Sequence, residues 1–158
     1  MPSLRKTLNL PYAANDLFDL VSDVRSYPDF IKWIRAIRVS DEQTEPERWR
    51  ARADAAIMFK GISERFVTNV DARRDQMSVD VDLVRGPFRR LKNAWRFAPS
   101  ESGGSRVEFF IDYEFSNPLL RLVIAANADR ASEIVADLFV EEAKRRYGSG
   151  AGAGSEDG

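Results

Sequence analysis

The sequence predicts an α+β domain: a curved antiparallel sheet of about seven strands wrapped around a long C-terminal helix, with two short helices between strands 1 and 2. Three observations carry this reading. Strand-length runs with period-two alternation cluster between residues 36 and 115. Helix-period runs lie on either side of that cluster. Each strand has a single apolar face, so the sheet is covered on one side, and the terminal helix is the cover.

The elements follow in order. Leu4, Leu8 and Leu10 share parity with Lys6 and define a first strand that Pro11 ends. Leu17, Phe18, Leu20, Val21 and Val24 form one face of a short helix. Ser26 reads as the N-cap of a second helix, with Pro28 in its first turn and Asp29 three residues after the cap. Phe30, Trp33 and Ile34 are its packing residues. From residue 36 the period becomes two: Ile37 and Val39 alternate with Arg38 and Ser40, and polar residues 41–47 turn the chain. Trp49, Ala51, Ala53 and Ala55 then alternate with Arg48, Arg50, Arg52 and Asp54. Lys60-Gly61 breaks the run as a bend or bulge.

Residues 62–70 make the next strand and 71–76 a turn. Met77, Val79, Val81 and Leu83 mark another strand, and Leu91, Asn93, Trp95 and Phe97 share one face of the next. Ser102-Gly103-Gly104 is a turn, after which Val107, Phe109, Ile111, Tyr113 and Phe115 form the last strand. Asn117 is the expected N-cap of the terminal helix and Pro118 its first residue. Leu119, Leu122, Val123, Ala126, Ile134, Val135, Leu138 and Phe139 supply its apolar side. Lys144, Arg145 and Arg146 complement the dipole at its end, and Gly148 stops it. About 30 residues at ~1.5 Å each span ~45 Å, enough to cross a sheet. Residues 1–147 form one domain, and 148–158 a flexible low-complexity tail.

Composition excludes several chemistries. The chain of 158 residues has no histidine and no cysteine. A Ser-His-Asp triad, a thiol nucleophile, a disulfide and a conventional zinc site are therefore unavailable, so no metal and no catalytic residue is assigned. No Gly-rich phosphate loop occurs. With 24 basic and 25 acidic residues the net charge is −1, which supplies no global pull toward nucleic acid, and DNA is not expected as a partner. Apolar runs are too short to span a bilayer or to form a signal peptide, which makes the cytoplasm the default expectation.

The candidate site lies under the terminal helix. Ala51, Ala53 and Ala55 face the small residues Ala125, Ala126, Ala128 and Ala131. Two small-residue surfaces either pack closely or leave an apolar cavity of ligand size, ~300–1,000 Å³. The competing reading fills that space with Phe59, Phe66, Trp95, Phe109 and Tyr113. Candidate ligand-lining residues are Phe30, Trp33, Phe59, Phe66, Val81, Leu83 and Phe88. Leu91, Asn93, Trp95, Phe109, Tyr113, Leu122 and Ala126 complete the set. Gly86-Pro87 makes a tight turn with Phe88 at its tip as a lid, and Arg85, Arg89 and Arg90 ring it. A buried Asn93 amide needs partners, either neighbouring backbone or a ligand carbonyl. Glu64 shares parity with Ile62, Phe66 and Val70 and is either an acid–base group or a strand-end carboxylate beside a rim arginine. On the outer face Arg48, Arg50, Arg52, Arg65, Lys92 and Arg96 meet Asp80, Asp82, Glu108, Asp112 and Glu114. Cross-strand pairing accounts for that face better than an RNA-binding stripe does.

Two segments carry a family resemblance. Residues 26–33, SYPDFIKW, resemble a "YPxFxxW" segment, and Gly86-Pro87-Phe88 with Leu91, Asn93, Trp95 and Phe97 resembles "GPFxxLxNxWxF". With Asn117-Pro118-Leu119-Leu120 opening the last helix, the chain resembles the START-like helix-grip superfamily over residues ~3–147. Its nearest subgroup there is the coenzyme Q-binding, polyketide cyclase/dehydrase and lipid transport group, which includes a ribosome-association toxin branch. The departure is the small patch around Ala125 to Ala131, where relatives carry bulkier residues. The resemblance implies a carrier of ubiquinone or a similar isoprenoid lipid that supports respiratory electron transport. It implies no other cofactor, transient contact with a membrane surface, and a place at the inner membrane. The alternatives it leaves are a toxin-like partner of the large ribosomal subunit and a cyclase-like enzyme.

Overall fold

The computed structural model describes residues 3–148, apart from 60, 102, 120, 121 and 123–127, with side chains described at all of these but 59 and 128–134. Seven strands form one antiparallel sheet: β1 (Ser3–Leu10), β2 (Ile34–Glu45), β3 (Arg48–Phe59), β4 (Ile62–Arg73), β5 (Ser78–Arg85), β6 (Phe88–Pro99) and β7 (Ser105–Phe115). Their order is β1-β7-β6-β5-β4-β3-β2, so consecutive strands are hairpin neighbours and only β1 returns to pair with the last strand. Helix α1 (Ala14–Ser22), a 3₁₀ turn at Val24–Ser26 and the single turn α2 (Tyr27–Phe30) join β1 to β2. Helix α3 (Ala128–Ala143) runs into a π-helical turn at Lys144–Gly148. The expected fold class is the observed one.

The strands form where the alternation placed them because each apolar row meets the next in register. Ala51, Ala53 and Ala55 lie opposite Val70, Thr68 and Phe66, while Val79 and Val81 lie opposite Trp95 and Asn93. Continuing across the sheet, Trp95 and Phe97 meet Phe109 and Val107, and Leu8 closes the row against Val107. This inner face holds the core, in which Phe109, Val79, Val107 and Trp95 are at most 3% exposed. Burying side chains of this size contributes ~1.5–3 kcal/mol each. Where the β6–β7 turn passes the end of β1, a Cβ on Gly104 would lie 2.2 Å from the Leu10 carbonyl oxygen, so the turn closes only with glycine.

Five local expectations are corrected. The second helix is a single turn, and Ser26 does not cap it: its hydroxyl donates to the Asp23 carbonyl at 2.8 Å. Trp33 and Ile34 are not helical; Trp33 lies in the turn and Ile34 opens β2. β2 continues through the polar stretch to Glu45, with a bulge between Ser40 and Gln43 and Asp41 at φ 53°. β4 extends to Arg73 because Ala72 remains on the inner row. Lys144 to Arg146 lie in the π turn and not in a final α turn. The cap at Asn117 does form: its side-chain oxygen accepts the Leu119 N–H at 2.8 Å at the start of a helical turn.

The end of α3 is tied to the short helices. Glu142, 4% exposed, accepts from Arg145 and Arg146, and Arg146 also reaches the Ser26 hydroxyl at 3.2 Å. Tyr147 donates to the Asp16 carbonyl. The paired guanidiniums, Arg145 first, hold the Glu142 carboxyl below its ordinary range.

Candidate functional site

Inside the cup the sequence-predicted residues divide into a packed base and an apolar mouth. The base lies against α1 and α2. Phe139 of α3 meets Tyr27, Phe30 and Trp95 with ring centroids 5.0–5.2 Å apart, and Trp95 meets Phe109 at 4.7 Å. Such tilted and edge-on pairs contribute ~0.5–1.5 kcal/mol each beyond burial. Burial raises the Tyr27 phenol well above its ordinary range, and its hydroxyl donates to the Val21 carbonyl. The gap beneath, bordered by Leu8, Leu17, Trp95 and Phe139, measures about 10 Å³. That is about the space of a single water, so the base is solid.

Part of the expected ligand lining lies in this base. Phe30, Trp95 and Phe109 fill the base with aromatic rings, because three elements converge there; Trp33 and Val81 pack against its margin. Asn93 is the polar brace of this region. Its Nδ2 donates to the Phe110 carbonyl at 2.9 Å, and its Oδ1 accepts the Trp95 indole N–H at 3.0 Å. Of the two roles open to it, the structure fills the backbone one. The small-residue facing falls partly on Ala125 and Ala126, which lie outside the described residues, as do the side chains of Phe59, Ala128 and Ala131.

The mouth lies at the opposite end of the inner face, where the β3–β4 and β5–β6 turns and the end of β7 meet. Phe88 is the first residue of β6 and not a loop tip; its ring packs edge-on against Phe66 at 5.3 Å and stacks on Phe115 at 4.6 Å. Phe115 in turn meets Tyr113 at 5.7 Å. Leu83 and Leu91 are half-buried beside them. The tip itself is Gly86-Pro87, and the Gly86 backbone lies against Phe66: a Cβ there would sit 2.4 Å from the Phe66 Cβ. Phe115 was missed as a site residue, although its parity with Tyr113 was the available signal.

The proposed rim arginines separate. Arg85 and Arg89 are exposed and have no acidic partner among the described residues. Arg90 belongs to the outer face, where it binds Asp112 at 2.9 and 3.1 Å and Glu114 at 2.9 Å. Arg90 shares the outward parity of Lys92 and Arg96, and the register shift between it and Phe88 turns Phe88 inward, opposite Phe115. Leu122 (73% exposed), Leu119 (56%) and Met58 (42%) stand open to solvent. An open recess of about 620 Å³ at the β3–β4 hairpin is lined by Arg35, Ala56, Ile57, Met58, Ser63, Glu64 and Arg65. Glu64 therefore sits near a strand end among arginines. Among the described residues no helix is long and apolar enough to cross a membrane, and no cluster of three metal-ligating side chains occurs.

Opposite charges pair across much of the outer face, as the alternation predicted. Asp80, Asp82, Glu108, Asp112 and Glu114 each have a cation within 3.8 Å. Arg48 grips Asp71 through two bonds of 2.8 and 2.9 Å and holds that carboxyl below its ordinary range.

Comparison with known proteins adds relatives. A model of the family described as polyketide cyclase / dehydrase and lipid transport matches residues 10–139. The ribosome association toxin RatA of Escherichia coli K12 is 32% identical over 147 residues, covering 93% of this chain and 90% of the toxin. The mitochondrial coenzyme Q-binding protein coq10 of Schizosaccharomyces pombe is 30% identical over 87% of this chain and 84% of its own length. The solution structure of an 18 kDa protein from Caulobacter crescentus superposes with a TM-score of 0.74 at 38% identity, covering 94% of this chain and 99% of that one.

Proposed function

The chain belongs to the polyketide cyclase / dehydrase and lipid transport family and has its START-like helix-grip fold, and from that premise we propose that it binds and carries a hydrophobic ligand of the isoprenoid quinone class. The observation that carries this reading is the apolar mouth: Phe66, Leu83, Phe88, Leu91, Tyr113 and Phe115 continue the inner face beyond the solid base. The similarity to a coenzyme Q-binding protein over most of both chains supports ubiquinone as the member of that class.

Entry follows from the packing. Phe88 is held by two ring contacts, with Phe66 and Phe115. Releasing both costs about 1–3 kcal/mol. Each buried methylene of a prenyl tail contributes ~0.8 kcal/mol before ordering costs, so a few methylenes offset the opening. Exposed Leu119, Leu122 and Met58, with the exposed Arg85 and Arg89, present apolar and cationic groups to a bilayer surface, where a quinone resides. Ligand chemistry is not required in this reading: binding, shielding and release suffice.

Mass spectrometry of organic extracts of the protein, purified from a respiring host, tests it. A quinone in stoichiometric amount is the expected result. Extracts repeatedly free of lipid, with no tryptophan quenching on adding ubiquinone, overturn it. A second reading, association with the large ribosomal subunit, is supported by the 32% identity to RatA. Co-sedimentation with ribosomal subunits that weakens as salt rises is its test.

A further inference from the structure

We propose that the β2–β4 half of the outer sheet face is a binding surface for the phosphate backbone of RNA. The inference deepens the ribosome reading by naming a surface, and it is independent of the lipid reading, whose apolar mouth lies on the inner face. Charge is divided unevenly across this face, although the whole chain carries only −1. On the β5–β7 half every carboxylate named above is paired with a cation. On β2–β4 the register brings Arg38, Arg48, Arg50, Arg52, Arg65 and Arg73 together with only Glu45, Asp54 and Asp71.

Those three carboxylates are already held, by Arg50 at 3.3 Å, Arg65 at 3.4 Å and Arg48 at 2.8 Å. Arg38, Arg52 and Arg73 make no salt bridge among the described residues: Arg38 lies across from Asp54, which Arg65 holds, and Arg73 acts on Asp71, which Arg48 holds. The Nε–H donors of Arg50, Arg52 and Arg73 are also shielded from water without an acceptor. A guanidinium whose Nε–H is buried and unsatisfied gains by turning outward to an anion, and its planar edge matches two phosphate oxygens. Alternate residues of β3 repeat every ~6.6–6.8 Å. Arg48, Arg50 and Arg52 thus form a line of cations, which suits a repeating polyanion better than a single small one. None of the outward residues of these three strands is aromatic, so contacts fall on the backbone and sequence preference is weak. The large exposed apolar groups lie at the mouth end, which favours RNA over a bilayer for this face.

The test is fluorescence anisotropy of the full chain with a labelled single-stranded RNA of about 20 nucleotides, between about 50 and 200 mM salt. The triple variant R38Q/R52Q/R73Q is expected to lose about tenfold or more in affinity and to flatten the salt slope by about 2, at ~0.7 per phosphate contact. R5Q/K92Q/R106Q removes the same charge from the other half of the face and is expected to stay within about threefold of wild type. Equal losses in the two variants, or no RNA binding by wild type at low salt, overturn the proposal. Protection of wild-type Arg38, Arg52 and Arg73 from phenylglyoxal by RNA supports it without relying on a variant's folding; absent protection overturns it. Arginine-dependent binding to phosphatidylglycerol vesicles without RNA binding also overturns it. Undiminished co-sedimentation of R38Q/R52Q/R73Q with ribosomal subunits sinks this surface and leaves the ribosome reading standing. RNA protection without ribosome co-sedimentation does the reverse.

Discussion

Replacing Asn93 with alanine removes the acceptor of the Trp95 indole N–H, which lies 3.0 Å away on a side chain 3% exposed. The donor belongs to a buried side chain, so the cost is the desolvation of one buried N–H, about 1–3 kcal/mol. For a domain of this size that is a fall in melting temperature of roughly 3–9 °C. Asn93→Asp sharpens the test. A neutral carboxyl can still donate to the Phe110 carbonyl where Nδ2 now does at 2.9 Å, whereas a carboxylate sets two acceptors against each other. Hydrogen bonding to the neutral form raises the folded-state pKa above the unfolded ~3.9. The folded state then binds more protons than the unfolded one, so the variant's stability is greatest below about pH 4 and falls as pH rises through the folded pKa. Urea denaturation of both variants at pH 4 and pH 7 reads this out. Asn93→Ala within about 0.5 kcal/mol of wild type, together with a collapse of quinone affinity, would refute the bracing role and restore Asn93 to the ligand.

Other substitutions probe the remaining parts. Phe139→Ala removes the ring on which Tyr27, Phe30 and Trp95 converge; calorimetry should show a loss of about 3–5 kcal/mol, and a loss under half of that would mean the base is not one packed unit. Glu142→Ala forfeits charge-assisted bonds to Arg145 and Arg146 and should cost about 1.5–3 kcal/mol at pH 7. Because the Glu142 carboxyl is held below its ordinary value of 4.5, that stability is present above pH 4.5 and lost as pH falls through the folded value, so wild type and variant should converge in acid melts. Phe88→Ala forfeits two ring contacts and should lower the melting temperature by roughly 3–9 °C while changing ubiquinone uptake several-fold; unchanged uptake kinetics would remove Phe88 from the entry route. Glu64→Gln addresses the cyclase alternative: turnover of a polyketide substrate by wild type that survives this substitution would clear Glu64.

Much of the architecture was legible because strand parity is a local signal. The alternation of Arg48, Arg50 and Arg52 with Ala51, Ala53 and Ala55 needs no tertiary knowledge to assign two faces. The Asn117 cap was equally local: one side-chain oxygen and the N–H two residues on. Phe30, Trp95 and Phe109 illustrate what was not legible. Their types and parity suit a cavity wall and a solid plug equally, and the choice depends on Phe139, which arrives from far along the chain. Phe88 escaped for a related reason, since the bulge that turns it inward shifts parity without leaving a mark in composition, whereas the outward side of Arg90 follows from its alternation with Leu91 and Asn93. Likewise, nothing in SYPDF reveals that Ser26 turns back to Asp23 and receives Arg146, a residue 120 positions away.

The bulge in β2 bears on the molecule's solution behaviour. β2 is a long margin of the sheet, 12 residues with one side unpaired. A straight margin of that length is a template on which a neighbour's strand can add, and then another. The kink at Asp41, with Glu42 beside it, interrupts that template midway and sets negative charge at the break. Straightening it, by deleting a residue between Ser40 and Gln43, should give the sheet a margin that nucleates fibrous association.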